Sequence, residues 1–264
     1  MNQTFNFYRF GLVLKLHLSE HLKTYLLGAG VLFGIWSVLL LPTAAKITVF
    51  SESIYRNHTT LFGVIYCGAG AWFASELFRT VSTPVRGIPY LTLPASRLEK
   101  FLVVFVMMLL FIPVFIGVFY AAEGICFSII NARLPAVSPK YQLLNLAGPY
   151  MDIVMRYLTL ITPSFFLVGS IYFTKVPFVK TAVIAFCILF SVMLLNSEIL
   201  IHQFFPGHEQ YGGTPFREVF FLQNRRWYHL ELSGNSDLIV KTILLLAVPS
   251  LWYIAFTRFK EKEL

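Results

Sequence analysis

With 264 residues, 57% of them hydrophobic and 13% charged, and a mean hydropathy of +0.70, the chain lies outside the range of a soluble globular domain, where about a quarter of residues are charged. Its net charge of +8 is scattered through short loops rather than gathered on one face, which argues for orientation in a bilayer and against nucleic acid as a partner. The composition predicts an all-α integral membrane protein, and Cys67, Cys126 and Cys187, all in or beside apolar runs and without metal-ligand spacing, read as buried thiols.

Residues 4–23 (TFNFYRFGLVLKLHLSEHLK) are the candidate interfacial helix. Arg9, Glu20 and Lys23 share a side at a helical period, but Val13 and Leu16 lie among them, so the amphipathic pattern is poor. His17 and His21 stand one turn apart and read as interfacial side chains, not a metal pair. The segment lacks the short apolar core and small-residue cleavage site of a signal peptide. The first span is expected at 25–41, stopped by Pro42. Gly30 and Gly34 form a G-x-x-x-G that lets another helix backbone approach, within the chain or from a second copy. After a polar connection at 43–58, the second span at 61–78 is rich in small residues (Gly63, Cys67, Gly68, Gly70, Ala74). A helix so small-sided packs on more than one face, which places it inside the bundle with Gly70 as a packing position.

The next interval, 79–100, is the most cation-rich short loop, with Arg79, Arg86, Arg97 and Lys100. That bias marks a cytoplasmic connection. Glu76 and Arg79 stand at i,i+3 and read as a solvated ion pair at the membrane edge. Within the loop, Val81, Val85, Ile88, Tyr90, Leu91 and Leu93 alternate with Thr83 and other polar, Pro and Arg residues. This suits a short element docked on a soluble partner. Pro94 then precedes Ser96 and Glu99, a capping box in which the hydroxyl takes the amide three residues on and the carboxylate reaches back. The third span follows at 101–122 with a kink expected at Pro113, and a polar loop fills 123–152.

The fourth span, 153–173, carries Pro163 and Arg156, which either snorkels to the interface or lines a translocation path. A turn bracketed by Lys175 and Lys180 leads to the fifth span at 177–200, with Glu198 at its far end. In the outer loop, 201–237, FREVFF and WYHLELS flank LQNRR and read as a small hairpin. The sixth span, 238–256, contains Lys241 and Pro249. With both termini inside, cytoplasmic segments hold 12 of the 21 Lys and Arg residues in less chain than the outer connections occupy. Six spans with cytoplasmic ends follow.

Two stretches, YLTLPASRLEKFL and PSFFLVGSIYFTKVPFVKT, resemble the second cytoplasmic connection and the fourth-to-fifth helix connection of permease subunits of ABC-2-type transporters, in the bacterial branch with an L-P-A-S-x-x-E-K signature. The resemblance implies a bacterial inner-membrane permease that works with a second copy of itself or a homologous permease and with a soluble ABC ATPase. It implies that Arg79, Thr83, Val85, Arg86, Ile88, Tyr90 and Leu91 contribute to the docking element, with Ser96 and Glu99 capping the helix behind it. It also implies an elbow helix at 4–23, and export as the direction of transport. Typical members place re-entrant helices before the last span, so the expected hairpin is a departure.

No P-loop, H-E-x-x-H or G-x-S-x-G occurs. The chain therefore reads as no enzyme and as needing no cofactor, with ATP hydrolysis in a partner. His202, His208, Glu209 and His229 share the outer loop, but their spacing matches no zinc motif, so no metal is expected. The alternatives are a non-transporting membrane scaffold of a secretion or motility assembly and, behind it, a metal-dependent membrane enzyme.

Overall fold

The computed structural model describes residues 4–78, 92–146, 148, 153–201, 203, 211–213, 218–223, 226–231 and 234–262. Six long helices make up most of it: α1 (Phe7–Ala44), α2 (Ser53–Leu77), α3 (Arg97–Arg133), α4 (Ile153–Tyr172), α5 (Pro177–Leu194) and α6 (Asn235–Lys262). Among the described residues, four of them, α1, α3, α5 and α6, are long and apolar enough to cross a membrane. The chain is thus mainly α-helical with several candidate membrane-spanning segments.

Contacts along the helices fix their directions. The start of α1 meets the start of α3 where Asn6 donates its amide to Glu99 (2.7 Å). Their far ends meet where Arg133 Nη1 donates to the Ala45 carbonyl (2.9 Å), so the two run parallel. α2 runs against both: His58, early in α2, touches Glu123, late in α3, and Phe78 beyond its end lies 6.0 Å from Phe101. At that same end Phe259 of α6 packs on Phe78 (5.6 Å), and Arg258 lies over the Tyr172 ring at the end of α4 (5.0 Å). A four-residue turn joins α4 to α5, which reverses direction. The six helices therefore alternate, and α1 begins at the end of the bundle where α6 finishes.

Several helix boundaries depart from the sequence reading. The interfacial segment 4–23 and the span 25–41 are one unbroken helix, α1, with no elbow between them. Nothing from Leu22 to Tyr25 removes a backbone donor or frees the chain to bend, so propagation continues. At 1.5 Å per residue its 38 residues reach roughly 57 Å, about twice a hydrocarbon core. Likewise α3 does not yield to a polar loop at 123 but runs on to Arg133. Polar residues begin at Glu123, but a helix need not end where lipid does. α2 also starts earlier than expected, at Ser53.

The core between α1, α2 and α3 is a ladder of aromatic rings spaced four residues apart. Phe62 and Tyr66 of α2 meet Phe115 and Phe119 of α3, and Trp36 of α1 sits edge-on to both of the latter (6.1 and 4.8 Å). α2 also packs on α4 and α5, which gives it the interior position its small residues predicted. A Cβ added at Gly70 would stand 3.5 Å from both Phe111 and Pro163, so Gly70 is a packing position. Gly30 and Gly34 have no such neighbour among the described residues: both are exposed, with nothing within 4 Å of an added Cβ. The G-x-x-x-G pattern permits close approach but does not supply the neighbour, and among the described residues no helix takes that face. Cys126 is buried and Cys67 half-buried, whereas Cys187 is exposed on α5, contrary to the expectation of three buried thiols.

α5 continues into a π-helical turn, Leu195–Ile201. Beyond it the expected hairpin forms as β2 (Glu218–Gln223) and β3 (Arg226–Glu231), antiparallel, with the short β1 (Tyr211–Gly212) added to β2.

Candidate functional site

The capping box at the start of α3 is formed in full. The Ser96 hydroxyl accepts the Glu99 amide (3.2 Å), and Glu99 Oε2 accepts the Ser96 amide (2.7 Å). Its surroundings were not legible in advance. Asn6 caps α1, its Oδ1 accepting the Tyr8 amide (2.8 Å), and the Asn6 backbone amide donates to Glu99 Oε1. Arg9 Nη2 donates to the same oxygen (3.0 Å). One fully buried carboxylate thus holds the starts of two parallel helices together. Burial of a charge is tolerable only with such a set of donors. Beside it Phe78, Phe101, Phe256 and Phe259 tie in the end of α2 and the end of α6.

This knot of helix ends bounds the predicted docking loop. Arg79, Thr83, Val85, Arg86, Ile88, Tyr90 and Leu91 lie outside the described residues. What is described is the framework on either side: Phe78, fully buried at the end of α2, and the capped start of α3.

A second polar centre lies toward the other end of the same helices. His58 Nδ1 and Glu123 Oε1 are 3.0 Å apart, 3% and 0% exposed, and Glu123 Oε2 accepts the Leu144 amide (2.9 Å). The imidazole stacks on Phe127 (5.1 Å between centroids), and Tyr120 donates to the Leu144 carbonyl (2.9 Å). The available signal was Glu123 itself, an acidic residue deep in a long apolar helix, which requires a partner.

Between the two centres α2, α3 and α4 border an open pocket of about 160 Å³ lined by Phe62, Tyr66, Ile112, Ile116, Leu146, Arg156, Thr159 and Leu160. Arg156, weighed above as a snorkelling residue or a path residue, is half-buried on this wall and donates from Nη2 to the Gly148 carbonyl (2.9 Å).

Of the outer-loop set His202, His208, Glu209 and His229, only His229 is among the described residues. It stands on β3 with Nε2 at 3.1 Å from Glu218 and 3.5 Å from Glu231, two carboxylates that face each other directly across the strands. These three are the described side chains with the spacing of a metal set. A ring N–H shared between opposed carboxylates accounts for the same geometry. At the near end, His17 and His21 rings lie 4.8 Å apart, with His17 hydrogen-bonded to the Tyr25 hydroxyl (2.8 Å).

Compared with protein-family models, with curated proteins and with solved structures, the chain matches none.

Proposed function

We propose that the chain is the permease subunit of an ATP-driven transporter of the ABC-2 type, crossing the bacterial inner membrane six times with both ends in the cytoplasm. A separate soluble ATPase docks on residues 80–93, and a second copy or a homologous permease completes the unit. Under this reading α2 and α4 cross as well, α2 as an interior helix, and export is the direction of transport.

The observation that carries it is the arrangement of helix ends. Six helices of alternating direction bring both flanks of residues 79–91 to the end where α1 starts and α6 finishes. The loop is cation-rich, and its downstream flank is a capped helix tied to α1 through Glu99. A push on the loop is therefore delivered to α1 and α3 together, the two long parallel helices whose far ends are joined by Arg133. A coupling element has to transmit such a push without absorbing it. The continuous α1 and the small sheet both depart from the elbow helix and re-entrant helices that the resemblance implies.

The test is co-purification with a candidate ABC ATPase, and hydrolysis by the reconstituted complex. Val85→Asp together with Arg86→Glu is expected to leave folding and insertion intact while abolishing binding and stimulated turnover. Unchanged binding and turnover in that variant would remove the loop from the mechanism. A chain that stimulates no ATPase and moves nothing is a scaffold.

A further inference from the structure

The β2–β3 hairpin sets three metal-ligating side chains on one face. Glu218, the first residue of β2, pairs directly with Glu231, the last of β3, and Phe220 pairs with His229. Directly opposed residues of an antiparallel pair project to the same side of the sheet, as do residues two apart along a strand. Glu218, Phe220, His229 and Glu231 therefore share a face, with the two carboxylates opposite each other. The Phe220 ring lies flat on the imidazole (4.5 Å between centroids, 9° between planes), so a neighbour sets the plane of His229. In that plane Nε2 stands 3.1 Å from Glu218 and 3.5 Å from Glu231.

A shared ring N–H accounts for these distances but not for the two acids. Like charges directly opposite on paired strands are destabilising, and one N–H has a single proton to offer them. Of its two contacts only the shorter falls within hydrogen-bond range. A divalent cation meets both carboxylates and the imidazole at once. Ligand atoms about 2.1 Å from a tetrahedral centre stand about 3.4 Å apart, close to the two distances seen from Nε2. One ligand atom from each of the three side chains lies within 4.8 Å of the others. Rotation of Glu231, whose side chain is 64% exposed, closes the set.

We propose that Glu218, His229 and Glu231 bind a divalent transition-metal ion of the Zn²⁺ class. One imidazole and two carboxylates suit Zn²⁺, and the imidazole counts against the hard cations Mg²⁺ and Ca²⁺. With three protein ligands, a further position stays open to water. The ion clamps the open end of the hairpin, where β2 begins and β3 ends. Strand register, not motif spacing, assembles the set, which is why the sequence alone pointed to no metal. Binding here is independent of the permease reading and of any ATPase.

The full chain in lipid nanodiscs, carrying no affinity tag, is titrated with Zn²⁺ against a chromophoric chelator, and amide exchange is followed in β2 and β3. Saturable binding that depends on the hairpin is expected. His229→Ala and Glu231→Gln should each weaken it at least about tenfold, the lower limit for losing even a group that only supports a ligand. Zn²⁺ should slow exchange across β2 and β3 in the unaltered chain and not in Glu231→Gln, and excess Mg²⁺ should not displace it. Cu²⁺ in place of Zn²⁺ should give the pulsed EPR signature of a single coordinated imidazole, lost in His229→Ala. Glu231 is exposed and Gln keeps its shape, so that variant tests the site even where His229→Ala disturbs the hairpin. Absence of saturable binding, binding unchanged in Glu231→Gln, or displacement by Mg²⁺ overturns the site and leaves the hydrogen bond to Glu218 as the role of His229.

Discussion

Glu99→Gln is the sharpest single test of how this bundle is tied together. The carboxylate is fully buried and accepts from the Ser96 amide (2.7 Å), the Asn6 amide (2.7 Å) and Arg9 (3.0 Å). The amide variant keeps the shape and one oxygen. With that oxygen toward Asn6 and Arg9, its NH₂ group faces the Ser96 N–H, donor against donor. Leaving that buried N–H unpaired costs about 1–3 kcal/mol, and turning the Arg9 contact from charge-assisted to neutral removes about half of its roughly 1.5–3 kcal/mol. Because Arg9 is one-third exposed, solvent screening puts that second part at the low end. The total is about 2–4 kcal/mol, against about 1 kcal/mol for loss of the cap alone in Ser96→Ala. Unfolding of the purified chain gives the ranking, and amide exchange in the first turns of α1 and α3 gives the mechanism. Glu99→Gln should loosen both turns together, and Ser96→Ala only the second. A Glu99→Gln variant no less stable than Ser96→Ala, with α1 exchange unchanged, would show that the carboxylate caps one helix and joins none.

The other predictions concern packing farther along the helices. His58→Ala leaves Glu123 buried with, among the described residues, only the Leu144 amide to accept from and should destabilise by about 1–3 kcal/mol, whereas His58→Phe with Glu123→Leu should recover most of it; equal losses in the single and double variants would contradict a hydrogen-bonded centre. An added Cβ at Gly169 of α4 would lie 1.9 Å from Thr181 Oγ1 and 2.8 Å from Thr181 Cβ, so Gly169→Ala should cost about 1–3 kcal/mol by pushing α4 from α5. Thr181→Ala should relieve it only in part, and a neutral Gly169→Ala would deny that close approach. Gly30→Ala and Gly34→Ala meet open space and should each raise helix stability by up to about 1 kcal/mol; a lowered unfolding midpoint in the isolated chain would place another helix on that face.

How far the sequence could be read depended on how far apart the interacting residues stand along it. The capping box spans three residues and was visible, as was the β2–β3 hairpin, whose β-branched and aromatic flanks surround a polar turn. Asn6 and Glu99 are 93 positions apart, and His58 and Glu123 are 65 apart. Nothing local pairs them. The boundary at residue 122 and the unseen His58–Glu123 pair are in fact the same error. If α3 is stopped where lipid-soluble residues run out, Glu123 falls in an outer loop, solvated and in need of nothing. Once α3 continues to Arg133, the same carboxylate is buried inside a helix bundle and must be matched. An antiparallel neighbour supplies the match from near its start, and His58, five residues into α2, is the buried residue there that does so. Arg9 was misjudged in a parallel way. Grouped with Glu20 and Lys23 as the polar side of a surface helix, it had no use for Glu99; as part of a helix running unbroken from Phe7 to Ala44 beside α3, it lies within 3.0 Å of it. In a chain this apolar, each isolated charge is a constraint on which helices are neighbours and on how far they run.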